Sequence, residues 1–303
     1  MNSCGFQQNL LLFIVKKIAP SAPGIIIFEK ETCHMTKPIK PVKKAIVPKK
    51  KAAPEKLRVA GKSTALTAKK FISRVYEMQS DEELKKILRY FKSGEGEYGA
   101  GDKFIGVRMG HLFNLAKEFV DMPLAEIEKL LESPIHEVRA GGMSIMGKQA
   151  TLKKTTEEQL KALYDLYIRR HDRINNWDLV DLAAYYVVGR YLADKPRDIL
   201  YKLAKSKNIW ERRTAIVATA HFILKQKQTE DTFRIAEILI HDKEELIHKG
   251  TGWMVRAAGQ VDKKKLLIFL DKYAATMPRQ LLRNCIERLD AKQKSHYMNL
   301  KGK

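Results

Sequence analysis

From Ser63-Thr64 onward the apolar residues recur at three- and four-residue spacing and almost nowhere alternate one-in, one-out. Only a helix brings positions i, i+3 and i+4 onto one face, so this pattern predicts an all-α chain. Helices are expected over roughly 65–78, 81–92, 106–120, 123–132, 135–150, 156–170, 176–192, 197–206, 209–225, 230–241, 244–259, 263–275 and 278–289. The breaks between them carry suitable punctuation. Ser80 precedes the acids Asp81-Glu82-Glu83, and Ser133-Pro134 and Met277-Pro278 place proline at a helix beginning. Short helices with short connections, running in pairs, predict an α-solenoid of HEAT-like repeats with a concave groove. The repeats are too degenerate to fix a period, and an irregular helical bundle is the alternative.

At 303 residues the chain can bury a substantial core as one large domain or two small ones. Lys and Arg outnumber Asp and Glu by 57 to 35, a formal net charge of +22, which points to a polyanionic partner: nucleic acid first, acidic membrane second. Cys4, Cys33 and Cys285 are odd in number and lack metal-ligand spacing, as suits a reducing compartment without a disulfide frame. The early apolar run Leu10 to Val15 is too short to span a bilayer and lacks a basic segment before it and a convincing cleavage site after it. The first residues are therefore expected to be a disordered or mis-assigned start, with Met35 as an alternative initiator.

Residues 37–51 hold seven lysines and no acid, with prolines at 38, 41 and 48. Such a segment buries too little apolar surface to fold. Residues 1–62 are thus expected to form a basic arm and 63–303 the folded body. The arm would neutralise DNA phosphates without reading sequence, or serve as a solvated tail. The loop Lys92 to Asp102 contains four glycines but lacks the strand before it and the Lys-Ser/Thr ending of a phosphate cradle, so it is expected to be a connector. Tyr90 stands at its mouth as a possible DNA contact.

Three clusters carry candidate chemistry. The first is Asn175-Asn176-Trp177-Asp178-Leu179-Val180-Asp181, where the asparagines suit a helix N-cap and Trp177 and Asp181 share a face four residues apart. The indole offers a π face to a cation or sugar, and the carboxylate offers fixed negative charge. The second is Ile209-Trp210-Glu211-Arg212-Arg213-Thr214-Ala215, and the third is Lys249-Gly250-Thr251-Gly252-Trp253-Met254-Val255-Arg256. Gly250 and Gly252 each cost about 1 kcal/mol within a helix relative to alanine, which makes sense if something must approach the backbone there. Plainer readings stand beside these. Trp210 and its apolar neighbours look like packing residues, Trp177 and Trp253 divide between core and groove, and Asp181 could pair with Arg213 as a structural bridge.

These three segments, in this order, resemble the AlkD-like DNA alkylation-repair glycosylases, as do Arg89-Tyr90-Phe91-Lys92 and Lys103-Phe104-Ile105-Gly106-Val107-Arg108. The resemblance runs from about residue 64 to 290. It implies that Asp181 is the catalytic carboxylate and that Trp177 and Trp253 are the groove tryptophans. It also implies that Arg213 grips phosphate, that Tyr90 faces the groove and that Arg256 is a basic contact. Arg212 and Lys249, from the same clusters, complete the expected DNA-binding set. The implied activity is monofunctional hydrolysis of the N-glycosidic bond of cationic purines of the 3-methyladenine and 7-methylguanine type, in duplex DNA, without a base-enclosing pocket. No cofactor or metal is expected, since the eight histidines form no ligand pair at helical spacing. The expected partner is double-stranded DNA carrying alkylated bases, bound by a monomer in a cytoplasmic, nucleoid-associated setting and without a membrane. Two rivals remain: a non-enzymatic HEAT-repeat protein that binds distorted or branched DNA, and a HEAT scaffold for acidic proteins.

Overall fold

The computed structural model describes residues 65–300, so the expected basic arm, Met35, Cys4 and Cys33 lie outside the described residues. Among the described residues there are fourteen α-helices and no strand. They are α1 (Ala68–Tyr76), α2 (Asp81–Phe91), α3 (Met109–Glu118), α4 (Leu124–Leu131), α5 (His136–Thr151), α6 (Glu157–Arg169), α7 (Trp177–Ala183), α8 (Asp198–Ala204), α9 (Ile209–Ala218), α10 (Glu230–Leu239), α11 (Glu245–Val261), α12 (Lys263–Tyr273), α13 (Arg279–Ile286) and α14 (Ala291–Asn299). The caps follow local chemistry. Ser80, Asn176 and Asn208 each accept a hydrogen bond from a backbone N–H of the first turn, and Thr156 with Gln159 closes a reciprocal capping box.

Two rows result. In one, α3, α5, α7, α9, α11 and α13 each pack on the next, and in the other α4, α8, α10 and α12 lie against members of the first. The first row is the more buried. In α5 nearly every residue from His136 to Gly147 is enclosed, and α7 is buried throughout. Helix α2 is the exception, for it packs broadly along no other helix and buries only Phe91.

Small residues set the spacing of the first row. A Cβ on Gly147 would stand 2.7 Å from the Leu182 carbonyl oxygen of α7, and one on Gly252 would stand 2.5 Å from Asn284 Cβ of α13. Two of the expected helices are not uniform. The spans expected at 176–192 and 209–225 widen into π-helical turns at Ala184–Gly189 and Phe222–Gln226, where helices of the neighbouring pair press closely; a Cβ on Gly189 would lie 2.3 Å from the Ala218 carbonyl oxygen. Helix α14 was not expected from periodicity. Its signal is Asp290, whose carboxylate accepts from the Gln293 N–H and caps a mostly polar turn.

The glycine geometry yields a paired expectation. Gly252→Ala should destabilise the fold by about 1–3 kcal/mol through overpacking against α13. Gly110→Ala, at an exposed helical position with nothing within 4 Å, should stabilise it by about 0.5–1 kcal/mol. Urea-unfolding midpoints moving in the same direction for both variants would contradict the packing described.

Candidate active site

Helix α7 starts where the Asn176 side chain accepts from the Trp177 N–H at 2.9 Å. One turn on, Asp181 lies on the same face as Trp177, and each residue is 1% exposed. Both Asp181 oxygens are held by Arg213 of α9: Nε donates to Oδ1 at 3.0 Å and Nη2 to Oδ2 at 2.8 Å. The third nitrogen, Nη1, donates to the Leu246 carbonyl of α11 at 2.7 Å. One guanidinium thus ties α7, α9 and α11 together. Burial pushes the Asp181 carboxyl above the usual carboxylate range, and the charge and hydrogen bonds of Arg213 pull against that rise. Gly250 of α11 makes room for this pair, since a Cβ there would come within 3.1 Å of Arg213 Nη1. The backbone approach expected at Gly250 and Gly252 is therefore made by the protein itself: a guanidinium at the first glycine and helix α13 at the second.

Aromatic rings roof the pair. Phe91 stacks on Trp177 with centroids 5.6 Å apart, and Tyr90 meets the indole edge-on at 5.9 Å. Burial, with the charges of Asp178 and Asp181 beside it, raises the Tyr90 phenol well above its ordinary value against the opposing pull of Arg213. From the glycine loop comes Tyr98, half-buried, whose hydroxyl donates to the Tyr90 carbonyl at 3.4 Å. That hydroxyl is the polar group beside the Trp177 indole N–H, which itself makes no well-formed hydrogen bond.

A second buried network, not foreseen from the sequence, fixes the start of α7. His136 lies between two carboxylates: Nδ1 is 3.0 Å from Asp102 Oδ2 and Nε2 is 2.8 Å from Asp178 Oδ2. Arg139 and Asn175 both donate to Asp102 Oδ1, at 2.5 and 2.7 Å, and Asn176 donates to Oδ2 at 3.2 Å. Burial alone would lower the imidazole, but Asp178 and Asp102 overrule it and raise His136 to about 9. Burial alone would likewise raise Asp102, yet His136, Asn175 and Arg139 hold it well below the usual carboxylate range. Next to His136, Glu137 accepts backbone N–H bonds from Ile105, Gly106 and Val107 and clamps the chain that leaves the loop. The partners are more than thirty residues apart in sequence, so no local motif could have shown them.

The other expected residues are dispersed. Trp253 is partly exposed on α11, one turn beyond Gly250. Trp210 is buried among its neighbours as core. Arg212, expected on DNA, clasps Asp242 at 2.6 and 3.2 Å and donates to the Ser206 and Lys207 carbonyls. Lys249 pairs with Glu245 at 2.8 Å, and Arg256 pairs with Glu287. Arg213, expected to grip phosphate, is buried against Asp181, whose carboxylate its charge offsets. Among the described residues no group of three or more His, Cys, Asp or Glu side chains forms a metal site, and no helix is long and apolar enough to cross a membrane.

A family model described as DNA alkylation repair enzyme matches residues 71–289. Among solved structures, a chain from Enterococcus faecalis described as a predicted DNA alkylation repair enzyme is similar, with a TM-score of 0.56 and 17% identity over 71% of this chain and 98% of that one. At that identity the likeness speaks for the fold alone. No curated protein matches.

The His136 network makes stability depend on pH. Its imidazole titrates near 9 when folded and near 6.5 when unfolded, so its contribution is complete below about pH 6.5 and lost as pH rises through about 9. The difference corresponds to roughly 3 kcal/mol. His136→Gln should be less stable at pH 6 and show a flatter decline between pH 6.5 and 9 in urea unfolding. Parallel declines for the two proteins would refute this assignment.

Proposed function

The chain belongs to the DNA alkylation repair enzyme family, and we propose that it is a monofunctional glycosylase that hydrolyses the N-glycosidic bond of cationic, alkylated purines in duplex DNA. On this reading the two helical rows are an α-solenoid of HEAT-like repeats whose concave groove takes the duplex, and the protein works as a cytoplasmic, nucleoid-associated monomer. The observation that carries the proposal is a carboxylate enclosed beside an indole in a chain of net charge +22. A protein that only grips phosphate would need that negative charge solely as a strut for Arg213.

The chemistry follows from the substrate's own charge. A purine alkylated at N3 or N7 is cationic and leaves without a general acid. The species that needs help is the sugar, which becomes oxocarbenium-like. A carboxylate about 4 Å away is worth roughly 4 kcal/mol at an effective dielectric near 20. That is an upper bound of about three powers of ten in rate. Asp181 supplies this charge and orients the attacking water, while Trp177 and Trp253 hold the deoxyribose and add cation–π attraction. Arg213 commits three of its N–H groups to Asp181 and Leu246. A guanidinium has five N–H groups, so two remain for a phosphate oxygen. A phosphate there draws the arginine's charge away from Asp181 and leaves the carboxylate more negative toward the sugar. Tyr90, Arg256 and Lys249 complete the DNA-facing set, while Arg212 braces the scaffold behind them through Asp242, and no cofactor enters.

A second reading has one observation in its favour: Asp181 is bonded through both oxygens, as a structural strut would be. It makes the protein a non-enzymatic binder of distorted or branched DNA. A product assay on methylated duplex separates the two. Asp181→Asn should cut release of 3-methyladenine and 7-methylguanine by about 10²- to 10³-fold, with duplex affinity kept within a few-fold. The variant leaves Arg213 less well paired, so its melting temperature should fall and the assay belongs well below it. Wild-type protein that releases no alkylated base would end the glycosylase reading in favour of the binder.

A further inference from the structure

The glycine loop is more than a connector. Chain direction changes at Lys92, Gly96 and Gly101, whose φ angles are 48°, 79° and 85°. Between them the loop bonds mostly to itself: Glu97 N–H to the Gly94 carbonyl, Ala100 to Glu97 and Asp102 to Gly99. It is tied to α2 by the Ser93 and Tyr98 hydroxyls, which donate to the Leu88 and Tyr90 carbonyls at 3.4 Å each, and it passes close at Gly99, whose N–H donates to the Lys92 carbonyl at 3.2 Å and whose Cβ, if present, would strike the Phe91 carbonyl oxygen at 2.6 Å. Its far end is anchored at Asp102 by His136 and Arg139. The segment is therefore pinned at both ends and self-contained between them, the form of a small hinged element.

What the loop delivers is Tyr98. Its hydroxyl faces the Trp177 indole N–H and bonds only weakly, at 3.4 Å, to the carbonyl of Tyr90, the residue whose ring meets that indole edge-on. Tyr98 also feels the charge of Glu245, in the first turn of α11, the helix that carries Trp253. Two exposed acids, Glu95 and Glu97, ride on it. In this position the Tyr98 hydroxyl covers the indole N–H of Trp177, and on the reading above a phosphate backbone approaching that edge would meet the loop's negative charge.

We propose that Tyr98 and its loop, residues 93–101, form a gate that closes the Trp177–Asp181 site in the free protein and is displaced by duplex DNA. The proposal rests on the DNA-directed reading given above and adds to it a residue and a step. The closed gate lowers apparent affinity by the fraction of molecules that are open, so weakening it strengthens binding without any new contact.

The test reads the gate without reading base release. In a Trp210→Phe, Trp253→Phe background Trp177 is the sole indole. Tyr98→Ala should raise acrylamide quenching of Trp177 several-fold, while Tyr98→Phe, which keeps the ring, should raise it little. In the otherwise native chain Tyr98→Ala should bind plain duplex several-fold more tightly. Hydrogen exchange on wild-type protein is the check that needs no variant. Adding plain duplex should speed exchange at the Gly99, Ala100 and Asp102 amides as their loop bonds break. Unchanged quenching in Tyr98→Ala, unchanged or weaker duplex binding, or slower loop exchange with DNA would each overturn the gate. Failure of the glycosylase reading appears separately, as wild-type protein that releases no alkylated base while the quenching and exchange results stand.

Discussion

One guanidinium decides the geometry of the site. Arg213 reaches from α9 to Asp181 of α7 and to the Leu246 carbonyl of α11, so three successive members of the inner row are fixed by a single side chain. Burying either charge alone is costly, and removing one partner of such a pair is more damaging than never having had it. The pair therefore acts as a constraint on both helices: wherever Arg213 goes, Asp181 must follow. Lysine is no equivalent, because its three donors sit on one nitrogen, whereas the planar guanidinium spreads Nε and Nη2 to the two carboxylate oxygens and Nη1 to the carbonyl.

A second layer protects the first. Trp177 and Asp181 are placed by the start of α7, and that start is held by Asn176 and by Asp178 on His136. His136 carries the restraint on to Asp102, at the end of the glycine loop. The network gathers two carboxylates, one imidazolium and Arg139, so its charges nearly cancel. Near neutrality is what lets four ionisable side chains share a dry site. The anchored end of the loop at Asp102, α5 and α7 consequently hold their places together, and Phe91 keeps its stack on Trp177.

How much of this was readable depended on distance along the chain. Helices were legible because their signals are local: Ser80 before three acids, Asn176 before an apolar run, prolines at 134 and 278. The face shared by Trp177 and Asp181 was legible for the same reason. The partners of His136 were not, since they lie 34 and 42 residues away on opposite sides in sequence. Gly250 was read as room for a ligand and is room for Arg213, because a sequence shows that space is needed but not what fills it. The loop's glycines showed that the chain must turn, and nothing local revealed that Tyr98 would land on Trp177. The π-helical turns at Ala184–Gly189 and Phe222–Gln226 were hidden too, for the apolar spacing of these spans reads as ordinary helix.

The ion pairs also rank the basic residues by how readily they can turn toward phosphate. Arg212 is 16% exposed and its partner Asp242 7%, and with two carbonyl bonds in addition its guanidinium is part of the scaffold. Arg213 is more enclosed still, and only its uncommitted N–H groups can serve a ligand. Lys249 and Arg256 differ, because their partners Glu245 and Glu287 are 56% and 41% exposed. Pairs at such a rim are worth about 0–1 kcal/mol, so exchanging a glutamate for a phosphate there costs little. Both residues sit on α11, on either side of Trp253. The mobile positive charge of the site thus lies with the partly exposed indole, while the fixed charge lies with the buried one. On the glycosylase reading proposed above, a duplex would then be gathered at the rim of α11 before its lesion meets Asp181.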